Sequence, residues 1–160
     1  MVPATPLGHE VFLIDEGDPS ADPDRTVFLL HGFPESSFSY AGVFDLLKNR
    51  FDRVISFDMI GYGFSDKPSE GYGYSLFEQA DTVQLLLRET GLTGCHFISH
   101  DMGDSVHTEL LARWNDNRPG WFSAGPRSLT FTNGNMVLAE GKLRASQRAL
   151  LSPLGKLLAS

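Results

Sequence analysis

A short apolar run, Cys95-His96-Phe97-Ile98, leads into Ser99-His100-Asp101-Met102-Gly103 and then directly into a helical pattern from Asp104 to Ala112. Few folds accommodate that order. A strand that turns so sharply into a helix brings the two elements almost into contact, so the small residues Ser99 and Gly103 flank the turn. The turn lifts one side chain into a cleft, with the N–H groups of the helix beneath it. The raised residue is an aspartate. A carboxylate that attacks an electrophilic carbon forms an alkyl ester, which suits opening an epoxide or displacing a halide. Taken in isolation, Asp101 also reads as a simple helix N-cap.

The other elements extend the pattern. His9 to Asp15 reads as a short strand, and Thr26 to Leu30 and Val54 to Phe57 are continuous apolar runs, as in strands buried on both faces. Cys95 to Ser99 and Ser128 to Thr132 read as two more strands. Between Ser37 and Asn49, Phe38, Val43, Phe44, Leu46 and Leu47 recur at helical spacing. Ser75 to Thr90 is the clearest helix: Ser75 can cap it, Glu78 follows three residues on, and Ala80, Val83, Leu86 and Leu87 line one face. The helix after Asp101 runs to about Trp114, and Leu138 to Leu151 is a further amphipathic pattern. Strands alternating with helices over short connections predict an α/β fold, a mostly parallel sheet with helices on both faces. Such sheets bind ligands at the carboxyl ends of their strands. His31-Gly32-Phe33-Pro34, Asp58 to Gly63, Asp101 and Asn133 all stand at such ends.

The net charge of −7 is spread along the 160 residues and argues against nucleic acid or an anionic membrane as the main partner. Cys95 is the single cysteine, which rules out an intramolecular disulfide and fits a reducing compartment. No stretch approaches the roughly 18 apolar residues of a membrane span. The first residues lack the pattern of a signal peptide, so a cytoplasmic location is expected. No cofactor and no metal are expected. His100, Asp104 and His107 fall at helical spacing, but the strand–helix turn explains that segment better.

Three segments in order carry a resemblance: Leu29-Leu30-His31-Gly32-Phe33-Pro34-Glu35-Ser36-Ser37, Phe57-Asp58-Met59-Ile60-Gly61-Tyr62-Gly63-Phe64-Ser65-Asp66-Lys67-Pro68, and Ile98-Ser99-His100-Asp101-Met102-Gly103-Asp104. Together they resemble the α/β-hydrolase superfamily, in the branch of epoxide hydrolases, haloalkane dehalogenases and mesoderm-specific-transcript-like proteins. Ser-His-Asp-x-Gly-Asp, with Phe77-Glu78-Gln79-Ala80 upstream, leans toward the last group. His-Gly-Phe-Pro is more like epoxide hydrolases. Haloalkane dehalogenases usually carry Asn where Phe33 stands and Trp where Met102 stands, which argues against that activity. The resemblance implies Asp101 as the nucleophile, with the backbone N–H groups of Phe33 and Met102 as an oxyanion hole. His31, Gly32, Pro34, Ser99 and Gly103 support that site. Pro34 restrains and aims the Phe33 amide, a cis Phe33–Pro34 bond is plausible, and His31 props the loop by hydrogen bonds. Asp58 is expected to tie down Gly61-Tyr62-Gly63, and Tyr62, Tyr72 and Tyr74 read as packing.

The resemblance covers roughly the N-terminal half of a family member. It makes 1–135 the N-terminal part of the core and 136–160 the start of a helical cap, where the fold is expected to be truncated. One strand, where the family has two, is expected before Thr26. No histidine follows His107. His100 is expected to point away at the turn and His107 to lie down the helix, so the base and the catalytic acid are expected beyond Ser160. Asn133 stands where some dehalogenases place a catalytic glutamate. The expected function is an epoxide hydrolase-like attack on a small apolar electrophile, with water later releasing the ester. The alternatives are a haloalkane dehalogenase-like hydrolase and a non-catalytic, truncated hydrolase-like binding domain. The sequence leaves the oligomeric state open.

Overall fold

A computed structural model describes residues 1–3, 8–116 and 125–134. The chain opens with β1 (Val2–Pro3), antiparallel to β2 (Glu10–Val11), and continues into β3 (Leu13–Gly17). Three short strands therefore precede Thr26, not one. The strand expected over 9–15 breaks at Phe12, whose N–H turns aside to the Ser65 hydroxyl, 2.9 Å away.

β4 (Thr26–Leu30), α1 (Ala41–Lys48), β5 (Arg53–Phe57), α2 (Leu76–Glu89), β6 (His96–His100), α3 (Met102–Asn115) and β7 (Ser128–Thr132) follow. The main sheet runs in the order β3-β5-β4-β6-β7, with β3 antiparallel to β5 and every other pairing parallel. Every residue of β4 and β5 is buried, as their unbroken apolar runs require.

Alternation along the strands sorts the core into two layers. Val27, Leu29 and Val54 face Tyr40 together with Phe44 and Leu47 of α1. Phe28, Leu30, Ile55, Phe57 and Phe97 face Ala80, Val83, Leu86 and Leu87 of α2 and Val106 and Leu110 of α3. Each large side chain removed from water stabilises this arrangement by about 1.5–3 kcal/mol. Arg113 fastens α3 to α2 through Asp81 (2.6 Å) and Gln84 (2.5 Å).

The helix expected from Ser37 starts differently. Ser37–Tyr40 is a 3-10 turn, and the α-helix begins only at Ala41. Phe38 (81 % exposed) and Leu46 (65 %) face outward, although their spacing placed them on the buried stripe. The helix at Ser75 forms as expected, with a complete capping box between Ser75 and Glu78. The helix expected over 138–151, and all of 136–160, lie outside the described residues. No helix among the described residues is long and apolar enough to cross a membrane.

Candidate active site

β4, β5 and β6 run parallel in register, with Leu30 opposite both Phe57 and Ser99. The loops that leave their carboxyl ends therefore meet on one edge of the sheet. At the end of β6, Asp101 has φ 52° and ψ −115°. A non-glycine residue in that region carries strain of order 1–3 kcal/mol, which the surrounding structure must over-determine. Two glycines let it. A Cβ on Gly103 would lie 2.6 Å from the Leu30 carbonyl oxygen and 2.7 Å from that of His31. A Cβ on Gly32 would lie 2.5 Å from the Asp101 Cβ and 2.8 Å from the His100 carbonyl oxygen. Ser99 is buried and donates its hydroxyl to Asp104 Oδ1 at 2.5 Å, so it is a fastening as well as a small residue.

Asp101 Oδ1 accepts the Met102 N–H at 2.7 Å and the Phe33 N–H at 3.0 Å. An ordinary N-cap has extended backbone and accepts from the second or third helical N–H. Asp101 does neither: its backbone is left-handed, its helical donor is the first residue of α3, and its second donor comes from another loop. The partial positive charge at the start of the 14-residue α3 favours a carboxylate there. Asp101 is half-buried, and its Oδ2 carries no hydrogen bond among the described residues. The Phe33–Pro34 bond is cis.

His31 joins the first two loops. The network assigns its proton to Nδ1, which donates to the Gly32 carbonyl (2.9 Å), while Nε2 accepts the Met59 N–H (2.9 Å). Both nitrogens are committed, and burial holds its pKa below the usual imidazole value. The Tyr62 ring stands edge-on to His31 and Phe33, with centroids 5.5 and 6.2 Å away.

Asp58 holds the far side of the second loop. Its Oδ1 accepts from Ser37 N–H (2.7 Å) and its Oδ2 from Phe64 N–H (2.8 Å), so it ties down the glycine loop as expected and also the start of the 3-10 turn. Asp58→Ala strands both donors. The expected loss is about 3 kcal/mol in urea unfolding, and a loss under about 1 kcal/mol would show that the loops hold without it.

The two remaining histidines near the turn go elsewhere. His100 Nδ1 lies 3.3 Å from Glu35 Oε2, and its Nε2 is 3.5 Å from the Asn133 side-chain nitrogen. His107 is buried, edge-on to Phe97 (4.5 Å) and Phe131 (5.9 Å), and burial pushes its pKa down to about 3. None of His31, His100 and His107 hydrogen-bonds Asp101. Asp104 binds Ser99 and, at 3.3 Å, the Thr132 N–H, so His100, Asp104 and His107 are each turned to different partners. Sequence reasoning missed the places of Glu35, Asp104 and Tyr62. Asp104 could have been found from its position three residues past the turn, and Tyr62 from its place between two glycines after a strand end. Nothing local marks Glu35, because the pairing of β4 with β6 brings its partner to it.

A mostly parallel sheet, with helices on both faces and a charged side chain raised at a strand–helix turn, defines a recognisable class of α/β fold. Residues 25–117 match the family described as alpha/beta hydrolase fold, and this chain belongs to that family. It is 43% identical over 131 residues to the human mesoderm-specific transcript homolog protein, covering 81% of this chain and 38% of that protein. The putative hydrolase LipZ of Mycobacterium tuberculosis is 40% identical over 130 residues, covering 81% and 43%. A haloalkane dehalogenase of Psychrobacter cryohalolentis (82% and 41% covered) and an epoxide hydrolase 3 of Xenopus tropicalis (56% and 24%) are each 32% identical. The crystal structure of Cfl2 from Burkholderia cenocepacia shares the fold with a TM-score of 0.75 at 22% identity, over 96% of this chain and 52% of that one. The chain spans about two fifths of the length of the first two relatives.

Proposed function

We propose that this chain carries the nucleophile and the oxyanion donors of an epoxide hydrolase-like enzyme, with Asp101 attacking an electrophilic carbon of a small apolar substrate. The observation that carries the reading is the grip on one carboxylate oxygen. Oδ1 accepts the Phe33 and Met102 N–H groups at 3.0 and 2.7 Å, which leaves Oδ2 to form the new bond. In the first step Oδ2 bonds to an epoxide carbon, the ring C–O bond breaks, and its electron pair passes to the ring oxygen, which takes up a proton. The result is a hydroxyalkyl ester of Asp101. Oδ1 becomes the ester carbonyl oxygen. When water adds to that ester, the charge building on Oδ1 meets two N–H groups already aimed at it. No cofactor enters these steps.

An epoxide is favoured over a haloalkane because the Phe33 ring and the Met102 thioether offer no hydrogen-bond donor to a departing halide. Relatives named for both activities support carbon electrophiles as the class. Release of the ester needs a base that activates water. His31 is committed, His107 is buried among aromatic rings, and His100 faces Glu35. The chain is therefore expected to capture an epoxide and retain it.

Incubation of the 160-residue chain with excess styrene oxide, followed by intact-mass and peptide analysis, tests the reading. One persistent adduct on Asp101, absent from Asp101→Asn, is expected. Adducts scattered over other carboxylates, or an unchanged yield from Asp101→Asn, would overturn it.

A further inference from the structure

The chain has four tyrosines, and three commit their hydroxyls to oxygen acceptors within the fold. Tyr40 donates to the Leu30 carbonyl at 2.7 Å, Tyr74 to the Pro68 carbonyl at 2.6 Å, and the Tyr72 hydroxyl lies 3.4 Å from that of Thr82. Tyr62 differs. Its hydroxyl contacts only the Met102 sulfur, at 3.9 Å. A thioether is a weak acceptor, so the most acidic proton of this half-buried side chain is left uncommitted.

Its location gives that proton a use. Met102 is the residue whose N–H holds Asp101 Oδ1, and Phe33, which supplies the other N–H, stands edge-on to the Tyr62 ring at 6.2 Å. Tyr62 thus touches both residues that grip the carboxylate. The ring is also fixed. His31 packs against it at 5.5 Å and holds the Met59 N–H, the Tyr62 N–H closes a turn to the Met59 carbonyl (3.0 Å), and Asp58 holds the Phe64 N–H beyond it. Opening an epoxide creates an alkoxide, which needs a proton as the carbon–oxygen bond breaks.

We propose that Tyr62 is the proton donor for the epoxide oxygen when Asp101 opens the ring. This rests on the reading of Asp101 as nucleophile. As Oδ2 bonds to carbon and the ring C–O electron pair collects on oxygen, the phenol O–H proton passes to that oxygen. The ester then carries a free hydroxyl, and Tyr62 is left as a phenolate that takes a proton back from solvent. Burial and the nearby Asp101 charge raise the Tyr62 pKa, which keeps the proton in place until the alkoxide forms. Asp101 is thereby paired with an acid from the glycine loop of the same strand edge.

The test compares two electrophiles that differ in what the leaving group requires. Styrene oxide needs a proton on its oxygen, whereas 2-phenylethyl bromide releases a stable anion and needs none. Capture of each on Asp101 is timed by mass spectrometry for the chain and for Tyr62→Phe, which loses only a hydroxyl bound to sulfur. The expected result is epoxide capture at least tenfold slower in Tyr62→Phe, with bromide capture within twofold of the parent. Equal slowing with both reagents means that Tyr62 only shapes the site, and unchanged rates with both mean that the hydroxyl is idle; either overturns the proposal while leaving Asp101 as nucleophile. If the parent chain captures neither reagent on Asp101, the nucleophile reading falls and this proposal with it.

Discussion

Gly32→Ala is expected to abolish epoxide capture and to cost about 3 kcal/mol of stability, the upper end for an overpacked site. The added methyl has nowhere to go. It would sit 2.5 Å from the Asp101 Cβ and 2.8 Å from the His100 carbonyl oxygen, and both belong to a turn that is already strained. Relief requires the loop after β4 and the turn after β6 to move apart. That movement pulls the Phe33 N–H away from Asp101 Oδ1, a bond of 3.0 Å in the native arrangement. Stability and chemistry are therefore lost together, which a surface substitution would not do. Urea unfolding and styrene oxide capture, measured on the same variant, check this. Capture at the parent rate with stability changed by less than about 0.5 kcal/mol would mean the two loops are not packed as described.

Mild acid is expected to weaken the fold through His107. Its folded pKa is pushed down to about 3 by burial against Phe97 and Phe131, whereas in the unfolded chain it titrates near the usual 6.5. Above that value neither state holds the proton, and the histidine adds no pH dependence. Below it the unfolded chain binds a proton that the folded chain refuses, so stability falls steadily until the pH reaches the folded pKa. At pH 5 the loss from this residue amounts to about 2 kcal/mol. His31, also depressed by burial, acts in the same direction. His107→Leu removes the titrating group from the same apolar site. Urea unfolding at pH 7 and pH 5 should show the parent losing about 2 kcal/mol more than His107→Leu, and equal losses in the two proteins would remove His107 as the cause.

Much of the architecture is legible without coordinates. β4, β5 and β7 lie where their apolar runs place them, and α2 starts at the residue whose hydroxyl and capping partner announce it. These elements obey local rules, with burial on both faces for the strands and a reciprocal cap for the helix. The misplacements share a different cause. β2 and β3 are split because Phe12 answers to Ser65, and α1 opens as a 3-10 turn whose Ser37 N–H is held by Asp58. Partners 53 and 21 positions away set those boundaries, and no local pattern contains them.

The candidate site divides along the same line. By itself the sequence determined that an aspartate stands between small residues at a strand–helix turn, and that His31-Gly32-Phe33-Pro34 follows another buried strand. Residue size and hydropathic pattern are enough for both. Only the tertiary structure decided that Phe33 N–H and Met102 N–H converge on one oxygen of Asp101, that Glu35 faces His100, and that Tyr62 lies against Met102. Those meetings depend on β4 pairing with both β5 and β6 in one register, which brings three separate loops to the same edge. Strand pairing is a long-range choice made by the whole core, so the chemistry it assembles is visible only once the sheet has formed.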